Sequence, residues 1–223
     1  MPQRVMITAA ASGIGRSIAK AFHEDGAQVH ICDVNEAALA AFREEFPDIA
    51  ATHVNVTSEA EIENWFDEAL DDLGGLDVLV NNAGIKGPTA PVDDIDFADW
   101  RECLSVGIDS YFLCARRAAP LLKDQKSGTI INLSSTAGLF GFGNRTPYAA
   151  AKWGVIGLTK SLSIELGPDD IRVNAILPGL VSGDRQRRVL EARAQSQGRP
   201  IAEVEAEAFS YTSIRHYVDP RQI

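Results

Sequence analysis

The sequence has little of several things that would place it in common classes of protein. Its three cysteines, Cys32, Cys103 and Cys114, are too few and too widely spaced for a disulfide framework or a thiolate metal site, and its four histidines are scattered. No apolar run reaches the roughly 18 residues that a membrane span requires, and a strand predicted to begin at Val5 leaves no room for a signal peptide. We therefore expect reduced thiols, no metal, no membrane partner and a cytoplasmic location.

Positive charge is also scarce. The 223 residues carry 21 Lys and Arg against 31 Asp and Glu, a formal net charge of -10. A surface that binds nucleic acid needs clustered cations to displace phosphate counterions, so nucleic acid is not an expected partner. What the chain does have is length and apolar content, 45% of its residues, which suit one domain of the larger α/β kind over residues 1–223.

Short apolar runs alternate with helical patterns along most of the chain. Such alternation predicts a parallel, doubly wound sheet with right-handed crossovers, which is a three-layer α/β fold. The predicted strands are residues 4–10, 28–34, 53–56, 76–80, 129–135 and 171–177.

A glycine-containing turn follows the first strand. Ser12, Gly13, Ile14 and Gly15 open the next helix, where small residues let the backbone approach a pyrophosphate at the helix N-terminus. Asp33 ends the second strand 20 residues after Gly13, where a dinucleotide fold places the carboxylate that binds a ribose. The alternative for Asp33 is an N-cap of the next helix. A carboxylate here would repel a 2′-phosphate, which favours NAD over NADP.

Amide and small residues follow the fourth predicted strand, in the run Asn81, Asn82, Ala83 and Gly84. Ligands of open parallel sheets bind at the carboxyl ends of the strands, so this run could shape a binding crevice. A plain turn is the alternative.

The pair Tyr148 and Lys152 has a spacing of four, which puts both side chains on one face of a helix. We interpret Thr146 as the N-cap and Pro147 as the first helical residue. Tyr148 then lies at the positive end of the helix dipole and beside an ammonium, both of which favour tyrosinate and would make the phenol a usable acid and base. Alone, the pair is more typical of a half-buried aromatic beside a solvated lysine, so the catalytic interpretation needs support from other motifs.

The sequence becomes charged and rich in alanine over residues 182–217. We predict two short helices there, broken near Gly198 and Pro200, that form a substrate lid. Together with Asn144 and Arg145, this segment should select the substrate. An arginine cluster in it could attract an anionic substrate, but a solvated helix face pairing with Glu191 is the favoured interpretation. The cluster consists of Arg185, Arg187 and Arg188.

Taken together, these motifs resemble the short-chain dehydrogenase/reductase family, which has a Rossmann-like fold, over essentially the whole chain. The matching residues are the turn from Thr8 to Gly15, the run from Asn81 to Gly84, Ser135 thirteen residues before Tyr148, the pair Tyr148 and Lys152, and Pro178-Gly179. The resemblance implies that Tyr148 transfers a proton to or from the substrate oxygen, that Ser135 hydrogen-bonds this oxygen, and that Lys152 assists Tyr148 and holds the nicotinamide ribose. It implies cofactor contacts by Thr8, Ser12, Gly13, Ile14, Gly15, Asp33, Val34, Asn55, Val56, Asn82, Ala83, Gly84, Tyr148, Lys152, Pro178, Gly179 and Val181.

Three positions depart from the family pattern. Ala9 replaces the first glycine of the cofactor turn, and Asn55 stands where the family often has an aspartate near the adenine; we expect both changes to be mild. Gly107 replaces an asparagine whose main chain holds a water in a proton relay to the lysine. Glycine lacks the side chain that fixes the local bulge, so we expect a slower relay and predict that Gly107→Asn raises turnover.

The family normally continues with a further helix and a seventh strand, and this sequence stops at residues 218–223, where that helix would begin. From this we expect an exposed edge strand, uncovered apolar surface and altered association of what should otherwise be a homo-oligomer, a dimer or tetramer.

The sequence thus predicts an NAD-dependent oxidoreductase that interconverts a secondary alcohol and a ketone, with a small-molecule substrate. Within enzymes, the alternative is an NADPH-dependent carbonyl or oxoacyl-thioester reductase. From another class, the alternative is a nucleotide-binding sensor or scaffold with little catalysis, against which the combination of Ser135, Tyr148 and Lys152 argues.

Overall fold

The centre of the computed structural model, which describes residues 2–223, is a parallel sheet of six strands in the order β3-β2-β1-β4-β5-β6. Every neighbouring pair is parallel, and the strand order reverses direction between β1 and β4, which is the switch point where open sheets bind ligands. The predicted doubly wound fold is confirmed. The strands are Arg4–Thr8, Gln28–Asp33, Ala50–His53, Val78–Asn81, Gly128–Leu133 and Ile171–Ile176, β1 to β6.

Helices cover both faces of this sheet. The side chains of β1 alternate between them: Val5 and Ile7 are buried in one cluster with residues of α1 and α2, and Met6 is buried in the other with residues of α3 and α5. The result is the expected three layers. The helices are Gly13–Glu24, Glu36–Glu45, Glu59–Leu73, Phe97–Leu104, Ser110–Gln125, Thr146–Leu166, Asp184–Gln197 and Ile201–Ser210, α1 to α8.

The third strand lies three residues earlier than predicted. It covers Ala50–His53 because its pairing with β2 ends where Asp33 faces His53. Val54 and Val56, which suggested a strand from their apolar alternation, are buried in the core beyond the strand end. Burial of valines therefore does not by itself locate the ladder of backbone hydrogen bonds.

The helical stretch from Phe97 to Gln125 is interrupted. A single π turn at Ser105–Asp109 separates α4 from α5, and Gly107 is buried inside it. The bulge therefore forms without an asparagine side chain at this position. Turns of this kind occur frequently at functional sites.

The two helices predicted in residues 182–217 are present, and their role as a substrate lid stays a prediction. Gly198, at φ +60°, ends α7, and Pro200 directly precedes α8. Val218 then forms a parallel bridge with Val181, and Ile223 packs against the core cluster that contains α1. In the sheet formed by residues 2–223, β6 is an outer strand.

Candidate active site

The carboxyl ends of β1 and β4 are held together by Thr8 and Asn82. The hydroxyl oxygen of Thr8 accepts hydrogen bonds from the backbone N–H groups of Asn82 (2.9 Å) and Ala83 (3.1 Å). The amide nitrogen of Asn82 donates in return to the carbonyl oxygen of Ala9 at 2.8 Å. These two predicted site residues thus fix the shape of the nucleotide turn at the switch point of the sheet, and Ala83 and Gly84 follow directly.

The turn before α1 is the predicted pyrophosphate cradle. Gly13 has φ +58°, and Ser12 precedes the helix without a capping hydrogen bond from its side chain. The first-turn amides are therefore not capped by Ser12 and face the edge where an anion would bind. Ile14 and Gly15 continue the turn into the helix.

The alanine at position 9, where the family has glycine, adopts a more strained backbone conformation than expected. Its φ of +51° lies in the left-handed region, which glycine adopts freely and an L-residue with a Cβ atom does not. The conformation costs alanine about 1–2 kcal/mol. The hydrogen bond from the Asn82 side chain to the Ala9 carbonyl helps to hold it.

The carboxylate of Asp33, 8% exposed, lies at the end of β2 beside this turn. Its two oxygens accept from the backbone N–H groups of Ala11 (3.1 Å) and Asn35 (3.0 Å). The N-cap of α2 is Asn35, whose side chain accepts from Ala38, so the alternative interpretation of Asp33 as the cap is wrong. The Asp33 carboxylate instead hydrogen-bonds the nucleotide turn through Ala11, and the exposed Val34 follows it in the chain. Each carboxylate oxygen has a further lone pair that a ribose hydroxyl could use.

The next two predicted cofactor residues differ in surroundings. Asn55 is exposed, and its side-chain oxygen accepts from the backbone and hydroxyl of Thr57, at 3.1 and 2.8 Å. Val56 is 8% exposed and belongs to the core. Their contact with an adenine stays a prediction.

Tyr148 and Lys152 lie one turn apart near the start of α6, which begins at Thr146. The prediction that Thr146 caps this helix is wrong: Arg145 occupies the N-cap position, because Thr146 already has helical geometry, and no side chain caps the end. Pro147 does lie in the first turn, where its missing N–H costs nothing.

Ser135 is brought to the same edge by a network that joins β5, α6 and β6. The hydroxyl of Ser134 donates to the carbonyl oxygen of Lys152 at 2.9 Å, and the N–H of Thr136 donates to the carbonyl oxygen of Pro178 at 3.1 Å. The hydroxyl oxygen of Ser135 accepts from the N–H of Ala137 at 3.2 Å. Ser135, Pro178 and Gly179 therefore share one edge of the sheet, and Val181 is buried just beyond.

Lys152 is 3% exposed, and its ammonium is held by groups that sequence reasoning missed. Nζ donates to the carbonyl oxygen of Leu133 at 2.7 Å and to the hydroxyl of Tyr111 at 3.2 Å. Burial raises the pKa of Tyr111, which is fully buried, so its phenol stays protonated and donates to the carbonyl oxygens of Leu133 and Ala83. Tyr111 lies in the apolar stripe of α5, and nothing in that stripe distinguishes it from a core aromatic.

Burial, and secondarily the charge of Arg185, lower the pKa of Lys152 to about 7. An unfolded lysine titrates near 10.4, so between these values the unfolded chain binds more protons and the stability of the folded state rises with pH. The quantity to measure in cofactor-free protein is the difference in the free energy of unfolding between the wild type and Lys152→Met. As the pH increases beyond about 7, this difference should shift in favour of the wild type by up to about 1.4 kcal/mol per pH unit. Urea denaturation from pH 6 to 10 measures this difference.

The matched control for this titration is Lys160→Met, which removes an exposed lysine from the same helix. The change with pH should be larger for Lys152→Met than for Lys160→Met. A pH-independent difference for Lys152→Met would show that Lys152 has an ordinary pKa.

Gly107 faces the helix that carries Lys152. A Cβ atom built on Gly107 would lie 2.9 Å from the Cβ atom of Ala151, so any side chain here requires a small shift of α6 or of the π turn. The predicted gain in turnover for Gly107→Asn stays a prediction, and Gly107→Ala is the control that isolates the steric cost.

Two arginines approach the ring of Tyr148. The guanidinium carbon of Arg145 lies 4.3 Å from the ring centroid, and that of Arg185 lies at 6.0 Å. Arg187, in contrast, pairs with Glu191 at 3.0 Å on the exposed face of α7, as predicted. The arginine cluster therefore divides, with Arg185 reaching the site.

Residues 2–223 also contain a cavity away from this edge, and they contain no candidate metal site and no candidate membrane span. A cavity of about 370 Å³ lies between α7 and α8, lined by residues that include Leu190, Ile201 and Tyr217 but neither Tyr148 nor Ser135. No group of three His, Cys, Asp or Glu side chains in this part of the chain could hold a metal ion. None of its helices is both long enough and apolar enough to cross a membrane.

A doubly wound sheet with a nucleotide turn at its switch point, beside a tyrosine, a lysine and a serine at one edge, defines a nucleotide-binding oxidoreductase. Comparison with known families identifies it further: residues 3–194 match the model described as short chain dehydrogenase. The chain belongs to the short-chain dehydrogenase/reductase family.

Curated relatives in this family act on varied alcohols and ketones, to judge from their names. Trans-4-hydroxycyclohexanecarboxylate dehydrogenase of Sinomonas cyclohexanicum is 42% identical over 79% of this chain and 71% of its own length. Levodione reductase of Leifsonia aquatica is 36% identical over 79% and 68%. D-beta-hydroxybutyrate dehydrogenase of Cupriavidus necator is 34% identical over 91% and 80%.

Solved structures match nearly the whole chain. NAD+-bound xylitol dehydrogenase superposes with a TM-score of 0.93 at 29% identity, over 99% of this chain and 88% of its own. An actinorhodin polyketide ketoreductase variant with NADPH has a TM-score of 0.93 at 28% identity, over 100% and 88%. One of these structures holds NAD+ and the other NADPH, so similarity of fold does not choose between the two cofactors.

Proposed function

We propose that this chain is an NAD-dependent oxidoreductase that interconverts a secondary alcohol and the corresponding ketone. The observation that carries the proposal is that Tyr148 and Lys152 lie one turn apart on α6, and that the carbonyl oxygen of Lys152 accepts a hydrogen bond from Ser134, the neighbour of Ser135. A module that only bound nucleotide would not need this geometry of proton-transfer groups.

Tyr148 serves as the acid and base. In the oxidation it takes the proton of the substrate hydroxyl, while the bound nicotinamide supplies the hydride chemistry. Three cationic groups surround its ring: Arg145 at 4.3 Å, and Lys152 and Arg185 each at 6.0 Å. The ring of Tyr148 therefore lies among basic side chains.

Ser135 and Lys152 have separate roles. The Ser135 oxygen already accepts the N–H of Ala137, which leaves its O–H free to donate to the substrate oxygen as charge develops there. Two hydrogen bonds, to Leu133 and Tyr111, hold the Lys152 ammonium beneath Tyr148 and leave its third N–H for the nicotinamide ribose.

NAD is the cofactor that the residues fit best. The cradle at Gly13 and Gly15 suits a pyrophosphate, and Asp33 places a carboxylate, with lone pairs left for ribose hydroxyls, where a 2′-phosphate would be repelled. This supports NAD over NADP.

The cofactor preference is tested by Asp33→Asn, which removes the charge and keeps the shape. The ratio of kcat/KM for NADPH to that for NADH should rise about tenfold or more, because one repulsion between charges is removed. The control is Asp25→Asn, an exposed aspartate at the end of α1. An unchanged ratio, or a wild type that already prefers NADPH, would favour the NADPH-dependent reductase instead.

The function itself is tested by an NAD-linked oxidation screen over chemically diverse secondary alcohols, in parallel with reduction of the ketones. We expect turnover of at least one pair, and about 10²–10⁴-fold less with Tyr148→Phe. Tight cofactor binding without turnover across the panel would favour a sensor or scaffold.

We further propose that the protein is a homo-oligomer. Large apolar side chains are exposed on the two adjacent helices α5 and α6: Phe112 (51%), Trp153 (51%) and Ile164 (80%). An apolar surface of this kind is typical of an association face. Sedimentation analysis would measure the state directly.

A further inference from the structure

Arg145 is buried among aromatic rings without a partner of opposite charge. It is 4% exposed, its guanidinium carbon lies 4.3 Å from the centroid of Tyr148 and 5.1 Å from that of Phe142, and one Nη atom donates to the carbonyl oxygen of Lys86. Its Nε atom is buried and has no hydrogen-bond partner. A guanidinium stacked by its faces keeps N–H groups at its edge for a further acceptor.

Arg185 approaches the same ring from the lid. It lies in the first turn of α7, and its guanidinium carbon is 6.0 Å from the centroid of Tyr148. One Nη atom donates to the carbonyl oxygen of Ile85 at 3.2 Å, and the guanidinium borders Gly84. The side chain is exposed as a whole, so a ligand in the site can reach it.

The charges in this site are uncompensated. Arg145 and Arg185 both approach Tyr148, and among residues 2–223 neither arginine has a carboxylate within 4.0 Å. This is notable in a chain with a net charge of -10, where acidic side chains are plentiful. A buried cation without a partner is costly, and burial does lower the pKa of Arg145. An anionic ligand would offset that cost.

We infer that Arg145 and Arg185 bind a carboxylate of the substrate, so that the alcohol is a hydroxy acid and the ketone an oxo acid. The inference rests on the proposed function, since it assigns the substrate class of that same site. Both guanidinium groups lie near the ring whose hydroxyl meets the reacting oxygen, so the carboxylate is only a few bonds from the carbinol carbon. Because both guanidinium carbons lie within 6.0 Å of the ring centroid, short hydroxy acids, such as the 3-, 4- and 5-hydroxy acids, are the substrates to compare.

The first test compares each of these hydroxy acids with its carboxamide, which has the same shape and no charge. In the wild type, kcat/KM for the acid should exceed that for the amide by about tenfold to a hundredfold, as expected for charge-assisted hydrogen bonds. Arg185→Met should lower the ratio of kcat/KM for the acid to that for the amide to within about threefold, mainly through the KM of the acid. Arg187→Met, which removes the neighbouring exposed arginine, is the matched control.

The second test does not depend on turnover. Binding of pentanoate and of pentanamide to protein saturated with NADH is measured by titration calorimetry. Pentanoate should bind more tightly than pentanamide, and Arg185→Met should remove the difference. Because Arg145→Met could unfold the site, Arg145→Lys is used with a melting temperature as the folding check; it keeps the charge and loses the planar donor edge, so it should weaken pentanoate binding.

The inference would be overturned if the wild type had the same kcat/KM for acid and amide and bound pentanoate and pentanamide equally. Turnover of neutral alcohols in that case would leave the proposed function intact. A rise in the Kd of NADH with Arg185→Met, without a change for pentanoate, would also overturn it, because Arg185 would then bind the cofactor phosphates. Binding of pentanoate that depends on Arg185, without oxidation of any alcohol, would support the carboxylate site and contradict the proposed function.

Discussion

Tyr148→Phe should lower kcat for alcohol oxidation by about 10²–10⁴-fold, with the fold and the affinity for NADH unchanged. The substitution removes one oxygen, the group that exchanges a proton with the substrate, and keeps the ring on which Arg145 stacks. The decrease should appear in kcat and kcat/KM alike, since the proton transfer belongs to the reaction step. Steady-state kinetics and a fluorescence titration with NADH measure the two quantities.

The matched control is Tyr211→Phe, which removes a phenol oxygen from a side chain that is 81% exposed and lies just after α8. It should leave kcat within about twofold of the wild type, as expected for a surface substitution. If Tyr148→Phe retained wild-type kcat, Tyr148 would not be the proton-transfer group, and the function proposed above would fail with it.

Gly15→Ala should destabilise the protein by about 1–3 kcal/mol and weaken NADH binding by about tenfold or more. A Cβ atom on Gly15 would lie 2.6 Å from the carbonyl oxygen of Ala9 and 2.8 Å from Cα of Ala10. These are backbone atoms of the nucleotide turn and cannot move aside without changing its shape. Urea denaturation and titration with NADH give the two effects.

Gly157→Ala provides the control within the same protein. Gly157 lies in α6 with open space around its Cα, so the added methyl should stabilise the protein by about 0.5–1 kcal/mol through the higher helix propensity of alanine. Opposite signs for the two substitutions are expected. If Gly15→Ala were as harmless as Gly157→Ala, the close approach of α1 to the turn would not exist.

The fold could be predicted from the sequence because the patterns that indicate it are local and occur several times along the chain. Apolar runs of strand length, separated by helical patterns, predict the parallel sheet, and all six strands exist. The errors lie at the ends of strands and helices, which depend on contacts with other segments. β3 ends where its pairing with β2 ends. The N-cap of α6 is Arg145, although capping preference favoured Thr146. Hydrogen-bond ladders and helix ends depend on partners that a residue's own propensity does not specify.

By itself, the sequence determined which residues can meet within one element. A spacing of four places Tyr148 and Lys152 on one face, and a strand end places Asp33 beside a turn, whatever the rest of the chain does. Only the tertiary structure decided their surroundings: the burial of Lys152 against Leu133 and Tyr111, and the approach of Arg185 to Tyr148. These contacts join residues that are distant in the chain, so their distances and the resulting charge balance follow from how layers pack and not from any local pattern.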